Sequence, residues 1–259
     1  MVKYTIDEIK KKTLKPINGF FEVMVTDRLS LYLVWIFANF TNITPNQISV
    51  IGGLFVFVCG YFFWKGMFGL GALSFFLAFF LDAVDGKVAR ITNNMAKVGI
   101  IYEGIFDLLR VFIPLLGLTY GYYGLTKDFS IFFWSLISLF SNYFFMFFGL
   151  FTIFKIRLAE ENPNLEIIGS GSNKWDIARE GVVLKIRQWL NKRRLELQYI
   201  TSEQEWVFFI IFPLLSLYNI SFIKYGLIVG SIPMLLWISF RYFIFVRRNR
   251  NVKYRRIKT

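Results

Sequence analysis

The sequence predicts an all-α integral membrane protein with six transmembrane helices and an N-terminal interfacial amphipathic helix. Hydrophobic residues make up 56% of the 259 positions and charged residues only 18%, whereas soluble domains are about 45–50% apolar and about a quarter charged. This composition excludes a soluble enzyme and a disordered basic tail. The 30 Lys and Arg residues alternate with apolar runs instead of forming one basic face, so we expect no nucleic-acid partner.

Six apolar stretches approach the length of roughly 20 residues that a helix needs to cross the hydrocarbon core. They cover residues 47–64, 67–87, 99–122, 129–154, 206–218 with its flanks, and 222–246. The connections at residues 65–66, 124–128 and 219–221 are short, so they are expected to join neighbouring helices as antiparallel hairpins.

Basic residues are unequally divided between the two sides of these spans. Lys and Arg number 6 before the first span, 3 in residues 87–98, 9 in residues 155–194 and 7 after residue 246. The opposite side carries only Lys65, Lys127 and Lys224. By the positive-inside rule, both termini and both long loops are cytoplasmic. The chain is therefore expected to be a multi-pass protein of the cell (inner) membrane.

The N-terminal region is expected to lie on the membrane surface. From Ile17 to Val25 the apolar residues recur at helical spacing, and four lysines precede them, a pattern typical of helices that bind anionic headgroups. The apolar run at residues 29–40 is too short to span. The predicted organisation is an N-terminal segment at 1–43, a six-helix membrane domain at 44–246 with a cytoplasmic loop at 157–202, and a basic tail at 247–259.

Four carboxylates lie at the cytoplasmic ends of the second and third spans. Asp82 and Asp85 are three residues apart, and Glu103 and Asp107 are four apart, so each pair shares one helix face. At 1.5 Å per residue, Asp82 and Asp107 lie ~12 Å below the helix ends. Charges inside a membrane usually mark a functional cavity. The chain has no His, and its one Cys cannot supply a thiolate metal site.

Four neighbouring acids need a counter-charge, and Mg²⁺ or Mn²⁺ is suited to all-oxygen ligands. Two alternatives remain open at this point. The acids can pair with Arg90, Arg110 or Lys97 as buried salt bridges, or they can line a pathway for proton or cation transport.

The acids belong to the pattern D-x2-D-G-x2-A-R-x8-G-x3-E-x3-D, formed by Asp82, Asp85, Gly86, Ala89, Arg90, Gly99, Glu103 and Asp107. This pattern resembles the signature of the CDP-alcohol phosphotransferase family, which has Asp at the position of Glu103. The segment TPNQIS at residues 44–49 also looks like the entry to that family's first span.

The resemblance implies a homodimeric six-helix membrane enzyme with a site for two Mg²⁺ or Mn²⁺ ions. Such enzymes transfer a substituted phosphate from a CDP-alcohol, for example CDP-diacylglycerol, to an acceptor alcohol and release CMP, in phospholipid or related phosphodiester biosynthesis. By motif position the metal ligands would be Asp82, Asp85, Glu103 and Asp107, and Asp107 is also the candidate catalytic base. The cytidine nucleotide would contact Asn46, Asp82, Gly86, Ala89, Arg90 and Gly99.

Glu103 departs from the family pattern by one methylene, or ~1.5 Å of reach. The change keeps the charge and the ligand oxygens. Either the site is adapted to Glu103, or the second cation is bound more weakly and activity is impaired or lost.

Candidate phosphate-binding residues for the acceptor are Arg110, Lys155 and Arg157. Arg110 lies within the third span on the same face as Asp107, and Lys155 and Arg157 end the fourth span on the cytoplasmic side. The identity of the acceptor stays open: it can be a lipid precursor or a soluble polar molecule such as an inositol phosphate or a sugar alcohol. Outside this chemistry, a carboxylate-lined cation transporter is the alternative function.

Overall fold

The computed structural model describes residues 3–93, 99–161, 165–168, 182–195, 201–249 and 253–256. At 99–104, 148–161, 165–168, 182–184, 186–187, 241, 244–249 and 253–256 only the backbone is described. The α-helices in these ranges are α1 (Ile6–Thr13), α2 (Asp27–Phe40), α3 (Pro45–Trp64), α4 (Phe68–Thr92), α5 (Gly99–Thr126), α6 (Ser130–Glu161), α7 (Val182–Asn191), α8 (Thr201–Trp206), α9 (Phe212–Leu215) and α10 (Phe222–Asn249). Turns of π-helix at Glu22–Thr26 and Val207–Ile211 precede α2 and α9.

Six of the described helical segments are long and apolar enough to cross a membrane, which confirms the predicted all-α membrane fold. They are Glu22–Phe40, Pro45–Trp64, Phe68–Thr92, Ile105–Thr126, Ser130–Phe147 and Phe222–Phe240. Five of them correspond to predicted spans. The sixth, Glu22–Phe40, falls in the segment expected to be interfacial, and the predicted fifth span corresponds to residues 201–215.

The contacts of α2 show how the N-terminal segment lies on the bundle. Asp27, at the start of α2, pairs with Lys87 near the end of α4. Asn39, in the last turn of α2, accepts the N–H of Tyr4 just before α1, and α1 is itself held to α4 because Arg90 donates to the carbonyl oxygen of the last residue of α1. The start of α2 is thus bound to α4 directly, and its last turn is bound to the segment that leads into α1.

The predicted fifth span begins earlier than its hydropathy suggested. Residues 201–215 form one helical run through α8, a π-helical turn and α9. Trp206 and Phe209 are buried in it and pack against α4, with the Phe75 and Phe209 rings 4.7 Å apart. Leu217, just beyond α9, lines a groove together with Gly66 in the turn between α3 and α4. Residues 201–217 therefore pack along α4 and reach the turn at Gly66, where α4 begins.

Close packing of α3 against α5 sets the spacing of the bundle. A Cβ atom on Gly117 would overlap the carbonyl oxygen of Gly60, and one on Gly121 would overlap that of Phe63. α3 begins as its sequence predicts, because the Thr44 side chain accepts the N–H of Gln47 and the Gln47 side chain accepts that of Thr44. The glycine contacts therefore fix the position of α3 relative to α5.

One small β-structure departs from an all-α fold. Leu165–Ile168 and Lys253–Arg256 pair as two antiparallel strands. This pairing joins the region after α6 to the region after α10, which periodicity cannot show because it depends on contacts between distant segments.

Candidate active site

Asp82 and Asp85 lie on one face of α4, as their spacing predicts. Asp82 has a side chain 46% exposed. Asp85 is partly buried and accepts a 2.5 Å hydrogen bond from the hydroxyl of Ser49, which lies in the first turns of α3. The capping box at the start of α3 therefore has a second effect, since it places Ser49 against an acid of the neighbouring helix.

Arg110 of α5 joins the acids of two helices. Its Nη1 lies 2.8 Å from Oδ2 of Asp82, and its Nη2 lies 3.0 Å from Oδ1 of Asp107. The pairing confirms that Asp82 and Asp107 face the same space. It also confirms, for these two acids, the alternative in which Arg110 supplies a counter-charge.

The third partner of Arg110 is Glu205, which the sequence analysis missed. Its Oε2 lies 3.1 Å from Nε of Arg110, and its side chain is only 3% exposed. The sequence bounds the cytoplasmic loop at residues 157–202 and predicts a fifth span that begins at Trp206, so Glu205 falls in the short flank between them and receives no role. A carboxylate directly before a buried Trp is the signal that could have identified it.

The predicted nucleotide residues line the same end of the bundle. The guanidinium of Arg90 lies over Gly86, with Nη1 3.4 Å from the position of a Cβ on that glycine, and Arg90 Nε also donates to the carbonyl oxygen of Thr13. Ala89 is partly buried. Asn46 lines an open groove of about 720 Å³ beside the start of α3, together with Asn42, Ile43, Gln47, Val50 and Ile51.

Behind the acids lies a charged cluster that joins three segments. Lys87 Nζ is 3.0 Å from Oδ1 of Asp27, and Arg194 Nη2 is 2.7 Å from Oδ2 of Asp27. Arg194 also donates to the carbonyl oxygen of Lys15. In the sequence, Lys87 and Arg194 stand out only as orientation charges, and Asp27 belongs to no motif.

Four predicted residues have side chains outside the described part of the structure. The α5 backbone places Gly99 and Glu103 two turns and one turn before Asp107, and the α6 backbone carries Lys155 and Arg157 near its end. Among the described side chains, no three potential ligands are grouped closely enough to hold a metal ion, and the Glu103 carboxylate is not among those side chains.

The donor set nevertheless fits a hard divalent cation. Asp82, Asp85 and Asp107 supply only carboxylate oxygens, which Mg²⁺ and Mn²⁺ prefer. The side chains of Asp82 and Asp107 are 46% and 31% exposed, so both can be reached from outside the bundle. The residues present are compatible with a cation between α4 and α5.

Residues 42–166, which include the whole acidic pattern and make up just under half of the chain, match CDP-alcohol phosphatidyltransferase. The chain is similar to this family over these residues. This match and the two relatives described next support a membrane CDP-alcohol phosphotransferase.

Two relatives extend the comparison beyond the family motif. An archaetidylinositol phosphate synthase of Pyrococcus horikoshii is 27% identical over 174 residues, which cover 65% of this chain and 81% of that protein. A crystal structure of the Mycobacterium tuberculosis phosphatidylinositol phosphate synthase with CDP-DAG bound superposes with a TM-score of 0.52. That alignment covers 88% of this chain and 94% of the other at 14% identity, and it supports the fold of the CDP-alcohol phosphotransferase.

Proposed function

We propose that this CDP-alcohol phosphotransferase uses divalent cations to transfer a substituted phosphate from a lipid CDP-alcohol to an acceptor hydroxyl, with release of CMP. The observation that carries the proposal is the meeting of Asp82 and Asp107, from different helices, at one guanidinium. The family spacing of the acids around this point supports the same chemistry.

The proposed cation ligands are Asp82, Asp85, Glu103 and Asp107. Bound Mg²⁺ or Mn²⁺, two ions in the full proposal, would neutralise the pyrophosphate and stabilise the CMP leaving group. Ser49 orients Asp85 through its hydrogen bond, as groups behind a metal ligand commonly do.

Asp107 is the proposed base. Its carboxylate accepts the proton of the acceptor hydroxyl, and the acceptor oxygen forms a bond to the phosphorus that carries the donor alcohol. The bond from that phosphorus to the CMP oxygen breaks, so the products are a phosphodiester and CMP. The residues proposed to bind the cytidine nucleotide are Asn46, Asp82, Gly86, Ala89, Arg90 and Gly99.

An inositol phosphate is the acceptor to test first. The archaeal relative is named as an archaetidylinositol phosphate synthase, and a phosphate-bearing acceptor needs basic groups near the acids. Arg110 is one such group in the described structure, and Lys155 and Arg157 are proposed at the end of α6. The donor would then be a CDP-linked membrane lipid such as CDP-diacylglycerol or its archaeal counterpart.

The asymmetry of Lys and Arg supports a site that opens to the cytoplasm, with both termini on that side. We also assign a homodimeric state to this proposal, on the family resemblance alone. Cysteine labelling in intact cells tests the orientation, and mass measurement in detergent or nanodiscs tests the dimer.

The direct test is CMP release by the purified protein in nanodiscs, with CDP-diacylglycerol and inositol phosphate, in Mg²⁺, Mn²⁺ or EDTA. We expect release only with a divalent cation, and loss of at least a hundredfold in Asp82→Asn. The matched control is Asp128→Asn, because Asp128 pairs with Lys224 at the opposite end of the bundle. Absence of CMP with every CDP-alcohol tested, together with Mn²⁺ flux into liposomes, would overturn the proposed transferase function and support the cation transporter instead.

A further inference from the structure

Glu205 is a buried acid that neither the family pattern nor the proposed roles explain. It lies on α8, outside the matched region at residues 42–166, and it is almost fully buried at the level of the acids. An isolated buried carboxylate is strongly disfavoured. The 3.1 Å contact with Nε of Arg110 supplies its counter-charge.

The contact with Glu205 also fixes the orientation of the Arg110 guanidinium. A guanidinium is planar and has donors at Nε and at both terminal nitrogens. With Nε bound to Glu205, the plane is set and the two terminal nitrogens point to Asp82 and Asp107. The ring of Phe79, 5.6 Å from the guanidinium carbon, packs near the same group.

The short helix that carries Glu205 is itself held in place on both sides. Glu203 accepts the N–H of Phe20 at 2.6 Å, and the Trp206 ring stacks on Phe21 at 4.7 Å. These contacts hold Glu205 in place, and its ion pair in turn holds Arg110.

The partners of Arg110 differ in their access to solvent. Glu205 is buried, whereas Asp82 and Asp107 are partly exposed. When cations bind the exposed carboxylates, the pair with Glu205 remains, because breaking it would leave a buried charge without compensation. The two terminal nitrogens of Arg110 then face the space between α4 and α5, where both can donate hydrogen bonds to one phosphate group.

We infer that Glu205 is a positioning residue that holds Arg110 against a phosphate group of the bound substrates. The inference rests on the proposed phosphotransfer function and adds a residue from the fifth span to its site. The phosphate belongs either to the donor, at the reacting centre, or to a phosphorylated acceptor, and the kinetic constants distinguish the two.

The test compares Glu205→Gln, Glu205→Asp and Gln204→Met in the full-length protein in nanodiscs. Gln204→Met is the matched control, because Gln204 is an equally buried neighbour whose contacts face α6 and α10. The measurements are kcat, KM for the CDP-lipid donor, KM for inositol phosphate, thermal unfolding, and Mn²⁺ affinity by electron paramagnetic resonance.

We expect Glu205→Gln to lower kcat at least tenfold if Arg110 contacts the reacting phosphate. If Arg110 binds the acceptor phosphate, KM for inositol phosphate rises at least tenfold instead. Glu205→Asp keeps the charge but withdraws the carboxylate by ~1.5 Å, so its kinetic change should be smaller than that of Glu205→Gln. Gln204→Met should lower thermal stability without either kinetic change.

Mn²⁺ affinity is a readout that needs no turnover. Without the Glu205 charge, Arg110 repels a cation from Asp82 and Asp107, so Mn²⁺ should bind at least threefold more weakly in Glu205→Gln. A Glu205→Gln protein that matches Gln204→Met in kinetics and in Mn²⁺ affinity overturns the inference. If the wild-type protein releases no CMP, the proposed function fails, and unchanged Mn²⁺ affinity would then also overturn the assignment of Glu205.

Discussion

Lys87 of α4 and Asp27 of α2 form an ion pair 3.0 Å long in which both side chains are only 5% exposed. Lys87 lies two residues after Asp85, so the pair ties α2 to the segment of α4 that carries the candidate site. Arg194 binds the second oxygen of the same carboxylate. One buried acid thus joins the N-terminal segment, the motif helix and the region after α7.

Removal of the Asp27 charge should destabilise the protein. Asp27→Asn leaves Lys87 buried without its partner, a change that costs roughly 3–5 kcal/mol for buried pairs. We expect a clear fall in the midpoint of thermal unfolding in detergent. Asp128→Asn makes the same chemical change in a more exposed pair and should shift the midpoint far less. Equal shifts for the two variants would show that the Asp27 cluster has no special structural role.

The close packing of α3 against α5 should not tolerate an added methyl group. Gly117→Ala places a Cβ against the carbonyl oxygen of Gly60, which forces the helices apart and costs about 1–3 kcal/mol. Asp107 lies on α5, so CMP release should fall together with stability. Gly124→Ala is the control, because no atom lies within 4 Å of its new Cβ. Wild-type stability and activity in Gly117→Ala would contradict the close packing.

Ser49 should affect catalysis more than folding. Ser49→Ala removes one hydrogen bond to Asp85, worth about 1 kcal/mol, so we expect a loss of three- to tenfold in kcat or in apparent Mg²⁺ affinity. Ser74→Ala is the matched control, because it also removes one serine hydroxyl. That hydroxyl donates only to the carbonyl oxygen of Leu70 in its own helix. A Ser49→Ala protein as active as Ser74→Ala, at limiting Mg²⁺, would remove Ser49 from the site.

Glu103→Asp tests whether the site is adapted to its longer acid. The variant restores the family pattern but withdraws the carboxylate by ~1.5 Å. We expect CMP release to fall several-fold, because a site built around Glu103 would then hold its cation less well. A large gain in activity would instead show that Glu103 impairs the wild-type protein.

Local sequence signals predicted much of this structure. The Thr44 and Gln47 capping box begins α3 as the segment TPNQIS indicated, and the three-residue spacing of Asp82 and Asp85 gave their shared face correctly. Helical periodicity and charge spacing depend on neighbours along the chain, so they can be read without knowledge of the packing.

Contacts between distant segments were not predictable in the same way. Glu205 and Arg110 are 95 residues apart, and Asp27 and Arg194 are 167 apart. Each of these acids looks like an ordinary loop or helix-end charge in the sequence. Only the tertiary contacts of α8 with α5, and of α2 with α4 and with the region after α7, give them their partners.

An isotope label follows the transferred phosphate directly. With a CDP-lipid labelled with ³²P on the lipid-linked phosphate, and with inositol phosphate as acceptor, we expect label in a lipid phosphodiester and unlabelled CMP. The transfer should require Mg²⁺ or Mn²⁺ and should be lost in Asp107→Asn. Label that remains in the donor under all conditions, or that appears only in the hydrolysed lipid phosphate, would contradict transfer to this acceptor by this site.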